Sequence, residues 1–326
     1  MKREFSRLSS RKRLRGLALI ELMIALVLGL VIIGAVTGVL LSNTQSFRTT
    51  KSLSQIQDSA RLGFEIMARD IRQAGSIPCG NDVAVTNILT AAQTTPPWHL
   101  DWEAGSDGQL IGYAGDATLA GLTNRINGTE ALTVLYSDVG GSAVDSFHAG
   151  NHAYTLNDAG DLQSGDIVFV CDATKATLFQ ANVANDTLTA ANNANVHTQP
   201  GVYDRNSVIG RLKSRAWYIG NNGRDEEGGR SLYLAELTVG ATGSPELQLI
   251  EIAAGVTDVE FLYRLNDTSD FKTVAQVGSQ WALVNAVQIS FSLLGQDTNV
   301  TVDAATNAGR LSRSFSSIVA LRNRIL

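Results

Sequence analysis

The longest apolar stretch of the chain lies near its amino terminus. It covers residues 17–41, and Glu21 is its only charged residue. An α-helix rises about 1.5 Å per residue, so a helix of this length covers the hydrocarbon core of a bilayer, which is about 30 Å thick. The pattern therefore predicts one membrane-spanning helix. The apolar run is longer than that of an ordinary secretory signal and lacks a small-residue cleavage site at its far end.

After residue 41 the pattern changes to a helical period with one apolar face. Apolar residues recur every three or four positions at Leu53, Ile56, Ala60, Phe64, Met67 and Ile71. The remaining surface is predicted to carry the charged residues Arg48, Lys51, Asp58, Arg61, Glu65, Arg69, Asp70 and Arg72. Gly75 and Pro78 supply a stop signal. We expect one helix over residues 17–74, whose first half is embedded in lipid and whose second half packs against a folded domain.

The rest of the chain has short β-type runs separated by Gly, Asn and Asp, which favours strands joined by turns. Candidate strands cover residues 131–136, 166–171, 177–183, 215–219, 231–237, 247–252, 257–263 and 286–294, with a last strand after residue 310. Residues 94–109 and 184–201 are predicted loops. The fold class is α+β, a long helix packed on an antiparallel meander. The predicted regions are a leader (1–16), the helix (17–75) and a β-rich domain (76–326).

The charge distribution orients the predicted helix. Residues 1–16 carry seven basic residues and one acidic residue, whereas the whole chain has 26 basic and 31 acidic residues. Basic flanks are typical of the cytoplasmic side of a membrane, so the domain after the helix is expected outside the cytoplasm. Without the leader the chain is strongly acidic, which argues against a nucleic-acid-binding surface.

The cysteine content agrees with export. Cys79 and Cys171 are the only cysteines, and both follow the apolar stretch. Two cysteines allow one intramolecular pairing, and in an oxidising compartment we expect them to form a disulfide. Two unpaired buried thiols are the alternative.

Glu21 is unusual because a carboxylate within lipid is costly and needs a partner. Interfacial snorkelling in an ordinary membrane anchor is one explanation. Cleavage after Gly16 is another, since it would free the amine of Leu17 as a counter-charge for Glu21. The basic leader, Gly16 and the following LALIELMIALVLGL resemble the class III signal of type IV prepilins and type II secretion pseudopilins. That resemblance implies cleavage after Gly16 by a prepilin peptidase, N-methylation of Leu17, and subunit docking through Glu21.

Three further features resemble the PilW family of minor pilins: SARLGFEIMARDIRQAG at residues 59–75, the later GVTDVEFLYRLND, and the basic carboxyl-terminal segment. The resemblance implies a subunit that initiates or caps a type IV pilus. Its implied partners are other minor pilins, the major pilin, the prepilin peptidase, the inner-membrane assembly platform and membrane lipid. Its implied location is the bacterial inner membrane, crossed once with the domain in the periplasm, and then the pilus tip. A type II secretion minor pseudopilin and a tip adhesin are the alternatives.

Motifs for catalysis are missing from the sequence, which has no P-loop, dinucleotide fingerprint, zinc-protease helix or nucleophile elbow. We therefore expect no enzyme activity and no cofactor. His148 and His152 lack further ligands for a metal, and the polar clusters at residues 157–161, 221–227 and 266–270 do not follow calcium-loop spacing, so no metal site is predicted. Trp98 and Trp102 either form an exposed patch for a partner or attach their loop to the core.

Overall fold

The computed structural model describes residues 17–80, 83–89, 97–102, 109–191, 199–266, 268–301 and 307–324. The chain divides into two units, Met1–Lys51 and Ser52–Leu326. Helix α1, Leu17–Gln73, begins in the first unit and ends in the second. Its end lies next to Gly75, whose φ of 75° is the left-handed conformation that glycine adopts without strain.

Strands make up most of the second unit. They are β1 Ala84–Asn87, β2 Leu110–Tyr113, β3 Ala131–His148, β4 Ala153–Leu156, β5 Ile167–Cys171, β6 Lys175–Ala184, β7 Thr187–Ala190, β8 Val208–Asn221, β9 Arg230–Val239, β10 Pro245–Ala254, β11 Val256–Leu265, β12 Phe271–Lys272, β13 Val284–Leu294 and β14 Ser312–Ala320. A short helix α2, Val274–Val277, and 3₁₀ turns at Asp225–Glu227, Trp281–Leu283, Asn307–Gly309 and Arg322–Arg324 complete the described elements. Each candidate strand overlaps an observed one, and the class is α+β as predicted.

The larger sheet is organised around the long strands β3 and β8. They pair antiparallel from Ala131↔Tyr218 to Ala143↔Val208. At one end of this ladder the sheet continues in the order β2-β3-β8-β9-β10. At the other end β8 pairs with β5, and β6, β7 and β4 lead back to β3, so that six strands close into a ring.

The ring departs from the predicted meander. A simple meander pairs each strand with its sequence neighbour, but here β3 lies beside β8 and β1 pairs parallel with β6. The ring has its own core, in which Tyr154, Phe179 and Tyr203 are fully buried. Because β3 and β8 extend past the part of the sheet that packs on the helix, the apolar side chains at their far ends need another apolar surface. Strands β4, β5, β6 and β7 supply that surface.

One predicted loop is partly wrong. Within residues 184–201 the structure forms β7, which pairs with β6 from Ala184↔Thr187 onward across a two-residue turn of Asn185 and Asp186. Asn185 has a φ of 54°, a left-handed conformation that asparagine tolerates better than most residues. This hairpin lies within the segment that the sequence predicts as a loop.

The smaller sheet has the order β12-β11-β13-β14. In β13 the apolar residues Val287, Ile289, Phe291 and Leu293 are buried, as their alternation with polar residues predicts. Together with Trp217 and Leu232 of the larger sheet, they form the main core of the second unit. The part of α1 within that unit contributes Ile56, Ala60, Met67 and Ile71 to the same core.

Candidate functional site

The first unit contains the apolar half of α1. Large apolar side chains from Leu19 to Leu41 are 53–68% exposed, and α1 is long and apolar enough to cross a membrane. Such a run of exposed apolar surface is far larger than a soluble monomer normally presents. Length and composition together make this half of the helix suited to an apolar phase rather than to water.

The predicted processing and docking residues lie at the start of this half. Leu17 is the first residue of α1, and Gly16 lies outside the described residues. Glu21 is exposed, and we find no hydrogen bond or ion pair for its carboxylate in the described part of the chain. Its carboxylate lies slightly more than one helical turn beyond Leu17. Glu21 is thus the one charge on an otherwise apolar and exposed surface.

The second unit encloses the other half of the helix on its apolar side. The predicted stripe is confirmed, since Ile56, Ala60, Met67 and Ile71 are buried. Phe64 packs on Phe291 of β13 with ring centroids 4.4 Å apart. A Cβ on Gly63 would lie only 3.0 Å from Leu232 of β9 and 3.1 Å from Phe291, so a glycine lets this helix approach both sheets at once.

Asp70 departs from its predicted place on the polar face of the helix, because its side chain is fully buried. Oδ1 accepts hydrogen bonds from Arg215 Nη1 at 2.6 Å and from Tyr136 OH at 3.2 Å. Oδ2 accepts one from Trp217 Nε1 at 2.9 Å. The donors belong to β3 and β8, so Asp70 joins the helix to the centre of the larger sheet.

A second carboxylate completes this cluster. Arg215 Nη2 donates to Glu236 Oε1 at 3.0 Å, and Lys213 Nζ lies 3.3 Å from the same oxygen. Arg215 therefore bridges a helix residue and a residue of β9. We call Asp70, Tyr136, Arg215, Trp217 and Glu236 the Asp70 cluster.

The electrostatics of the Asp70 cluster follow from burial and pairing. Burial raises the pKa of Asp70, although the Arg215 charge and the hydrogen bonds oppose that shift. Burial by itself lowers the pKa of Arg215, but the charges of Asp70 and Glu236 outweigh it and raise that pKa. The short Arg215–Asp70 contact and the full set of donors around the carboxylate are those of an ionised pair at neutral pH.

A polar cavity of about 420 Å³ adjoins the Asp70 cluster. Arg69, Lys213 and Arg215 line it together with Asp138, so its walls carry both signs of charge. Hydroxyl groups of Ser76, Tyr136 and Ser137 complete the lining. The Asp70 cluster beside the cavity attaches the helix to the sheet.

A disulfide provides a second attachment. Cys79 is bonded to Cys171 with 6.0 Å between their Cα atoms, as the sequence predicts. Cys171 ends β5, and Cys79 lies in the segment that follows α1. The bond therefore ties the exit of the helix to the ring. Apolar residues around it, including Ile77, Leu135 and Phe169, form a core of their own.

The two tryptophans of the predicted loop are attached to the core rather than exposed. Trp98 Nε1 donates to the carbonyl of Ala120 at 3.0 Å, and the ring is buried. Trp102 is 2% exposed and meets Phe169 edge to face at 4.9 Å. Between them, burial lowers the pKa of His99 to about 4. Of the two readings of Trp98 and Trp102, the structure supports attachment.

Three of the polar side chains considered as metal ligands are bound to protein groups. His148 Nε2 lies 3.1 Å from Thr155 Oγ1, Asp161 pairs with Arg211 at 2.7 Å, and Glu227 pairs with Arg224 at 2.6 Å. In the described residues no group of three or more His, Cys, Asp or Glu side chains is placed to hold a metal ion.

Comparison of the chain with protein-family models, with curated proteins and with solved structures found no match. The geometry therefore defines only a class. It is an α+β protein with an exposed apolar helix suited to a membrane and a disulfide-linked β domain built around the second half of that helix.

Proposed function

We propose that this protein is a minor pilin that is inserted in the bacterial inner membrane and helps to initiate or cap a type IV pilus. One observation carries the proposal. A single helix of 57 residues starts at Leu17, presents one acid at its fifth position on an exposed apolar surface, and continues into the core of an α+β domain. A subunit that leaves the bilayer and enters a helical fibre needs this combination.

The division of the helix supports the same function. Its first half offers apolar surface to lipid or to the helices of neighbouring subunits, while its second half is held to the domain by the Asp70 cluster and by Gly63 packing. Such a subunit can exchange one apolar environment for another without unfolding. Glu21 pairs with the amine of Leu17 after cleavage at Gly16, either within the subunit or between neighbours, where charge pairing in a low dielectric favours one axial register.

A type II secretion pseudopilin would have the same features, so the two functions must be separated by an experiment in cells. Cells that lack the protein should lose surface pili while they still secrete folded enzymes. Lost secretion with normal pili would instead identify a pseudopilin. Normal pili with lost attachment would identify a tip adhesin.

Processing gives a direct test of the proposal. Mass spectrometry of the protein from its own cells should find a chain that begins at N-methylated Leu17. Replacement of Gly16 by a bulkier residue should leave the leader attached and the protein in the membrane. A wild-type chain that retains its leader would refute the proposal.

Glu21 gives the second test. Glu21→Ala should be cleaved and folded normally but should co-purify less with other minor pilins from membranes. Glu65→Ala, which removes an exposed acid from the second half of the same helix, is the matched control. Equal co-purification of the Glu21→Ala variant and the parent would refute the docking role.

A further inference from the structure

Sheet edges are the places where one chain can add a strand to another, and natural proteins normally guard them. In the described part of the chain, β1, β2 and β12 are edges of only four, four and two residues. The edge strand β10 is longer, but it begins with Pro245, carries Glu246 and Glu251, and has a bulge between Glu251 and Ala253. These edges are therefore short or protected.

The remaining edge, β14, is neither short nor interrupted by a proline or a bulge, and Arg313 is its one charged residue. It has nine residues in unbroken register with β13, from Ala286↔Ala320 to Leu294↔Ser312, and contains neither Pro nor Lys. No strand in the described residues pairs with its outer side. Six of its residues are exposed, on both faces of the sheet, and Ile318 is 58% exposed.

The outward-facing backbone groups of β14 can be identified. Gly295 N donates to Leu311 O, and Leu321 N donates to Asn285 O, at the two ends of the β13–β14 ladder. In an antiparallel pair, residues that exchange hydrogen bonds alternate with residues that face away. The odd-numbered residues of β14 therefore bond to β13. Outward N–H and C=O groups belong to Ser312, Ser314, Ser316, Ile318 and Ala320.

The side chains indicate which kind of strand fits this edge. Residues 307–324 contain four arginines and no acid, in a chain with an excess of acidic residues. Arg313 is exposed on β14 and forms no ion pair in the described residues. Phe315, two residues further, is only partly buried against the main core. An acid opposite Arg313 on an incoming strand would neutralise its charge, and an apolar residue opposite Phe315 would cover the exposed part of its ring.

We infer that β14 is a docking edge to which an extended, acidic segment of a different protein chain adds as a further strand. A second copy of the chain fits less well, because its β14 has no acid to place opposite Arg313. The inference rests on the folded domain alone and does not require the proposed function.

Paired substitutions at one outward position test the hydrogen bonding. Ser316→Pro removes an outward N–H without removing a bond to β13, whereas Ser316→Ala keeps that N–H. In both variants the Ser316–Ser290 side-chain contact is lost. When the full chain is solubilised from membranes of its own cells, we expect it to run in a high-mass complex with its partner. Ser316→Pro should lower the share of the chain in that complex about tenfold, since one unmet backbone bond costs roughly that factor. Ser316→Ala should remain in the complex.

A charge variant covers the case in which the proline disturbs folding. Arg313→Glu should also release the chain from the complex, and Arg313→Lys should not. All four variants should keep the parental melting temperature, because the outer side of β14 makes no strand pairing within the described part of the domain. Retention of both Ser316→Pro and Arg313→Glu in the complex would overturn the inference. A wild-type chain found only as a monomer would overturn it too.

Photo-crosslinking identifies the occupant. A benzophenone side chain in place of Ile318 should join the full chain, in membranes, to an extended segment of another protein with an acid close to the joined residue. The same group in place of Gln248, which is exposed on the guarded edge β10, should capture no strand. Joining to a second copy of the chain would overturn the assignment of an acidic partner, and joining to lipid alone would overturn the docking edge.

Discussion

The first half of α1 exposes its apolar side chains, whereas the second half buries them. Leu30 in the first half is 68% exposed, and Ile71 in the second is fully buried. Complete burial of one such side chain stabilises a fold by about 1.5–3 kcal/mol. The second half obtains this energy within the domain, and the first half can obtain it only from lipid or from other chains. Changes in the second half should therefore alter the stability of the domain, and changes in the first should not.

The disulfide tests how far packing alone holds the second half of the helix in place. Its removal in the double variant Cys79→Ser, Cys171→Ser opens a loop closed by residues 92 positions apart. The chain-entropy model then predicts a loss of about 4–5 kcal/mol from the free energy of unfolding, measured by denaturant unfolding of the full chain in detergent. Membrane association, measured by alkali extraction, should be unchanged. Free alkylation of both thiols in the native protein would contradict the bond itself.

Asp70 tests the polar attachment of the same half. Asp70→Ala leaves Trp217 Nε1 and Arg215 Nη1 without their acceptor, while Arg215 Nη2 keeps Glu236. The loss should cost about 3 kcal/mol, at the low end for breaking a buried ion pair, because Arg215 keeps one opposite charge. Asp58→Ala, on the exposed face of the helix, should change stability by less than about 0.5 kcal/mol. Both values come from the same unfolding assay. Equal small effects would mean that the Asp70 cluster contributes little to the attachment.

Two methionines give the sharpest test of the comparison, because they are the same residue type in the two halves of one helix. Met67 is fully buried and Met23 is 57% exposed. Met67→Ala should lower the free energy of unfolding by about 3 kcal/mol through lost burial and the remaining cavity. Met23→Ala should leave the unfolding of the domain unchanged. A clear loss of domain stability in the Met23 variant would show that the first half also contributes to the domain.

His99 gives the smallest expected effect, and it depends on pH. Because burial lowers the pKa of His99 to about 4 from the ordinary 6.5, the unfolded chain binds the proton more readily between these values. The free energy of unfolding that depends on a neutral His99 is therefore fully present at neutral pH and is lost as the pH falls. Linkage predicts about 2 kcal/mol less stability at pH 5 than at pH 7.5.

His99→Gln should remove this part of the pH dependence, measured as the difference between variant and parent at each pH. A parental profile in the His99 variant would show that the proton binds elsewhere.

Local pattern determined the elements of this protein. The length of the apolar run predicted the first half of α1, and the apolar stripe at three- and four-residue spacing predicted the second half. Neither pattern needs knowledge of the surface against which the helix packs. The alternation in β13 predicted its buried face for the same reason. The disulfide was predictable because two cysteines permit only one intramolecular pair. The hairpin at Asn185 was not predicted, because residues 184–201 have the Asn- and Ala-rich composition of a loop.

Only the tertiary structure decided which elements meet. Its position three residues after Met67 places Asp70 beside the apolar stripe, unlike Asp58 and Glu65. Its partners Tyr136, Arg215 and Trp217, however, lie 66, 145 and 147 residues away, and no local pattern identifies them. The closure of the ring between β3 and β8, and the unpaired edge of β14, are likewise results of strand order. Strand order depends on long-range pairing, whose energy comes from packing and hydrogen bonds that form only when distant segments come together.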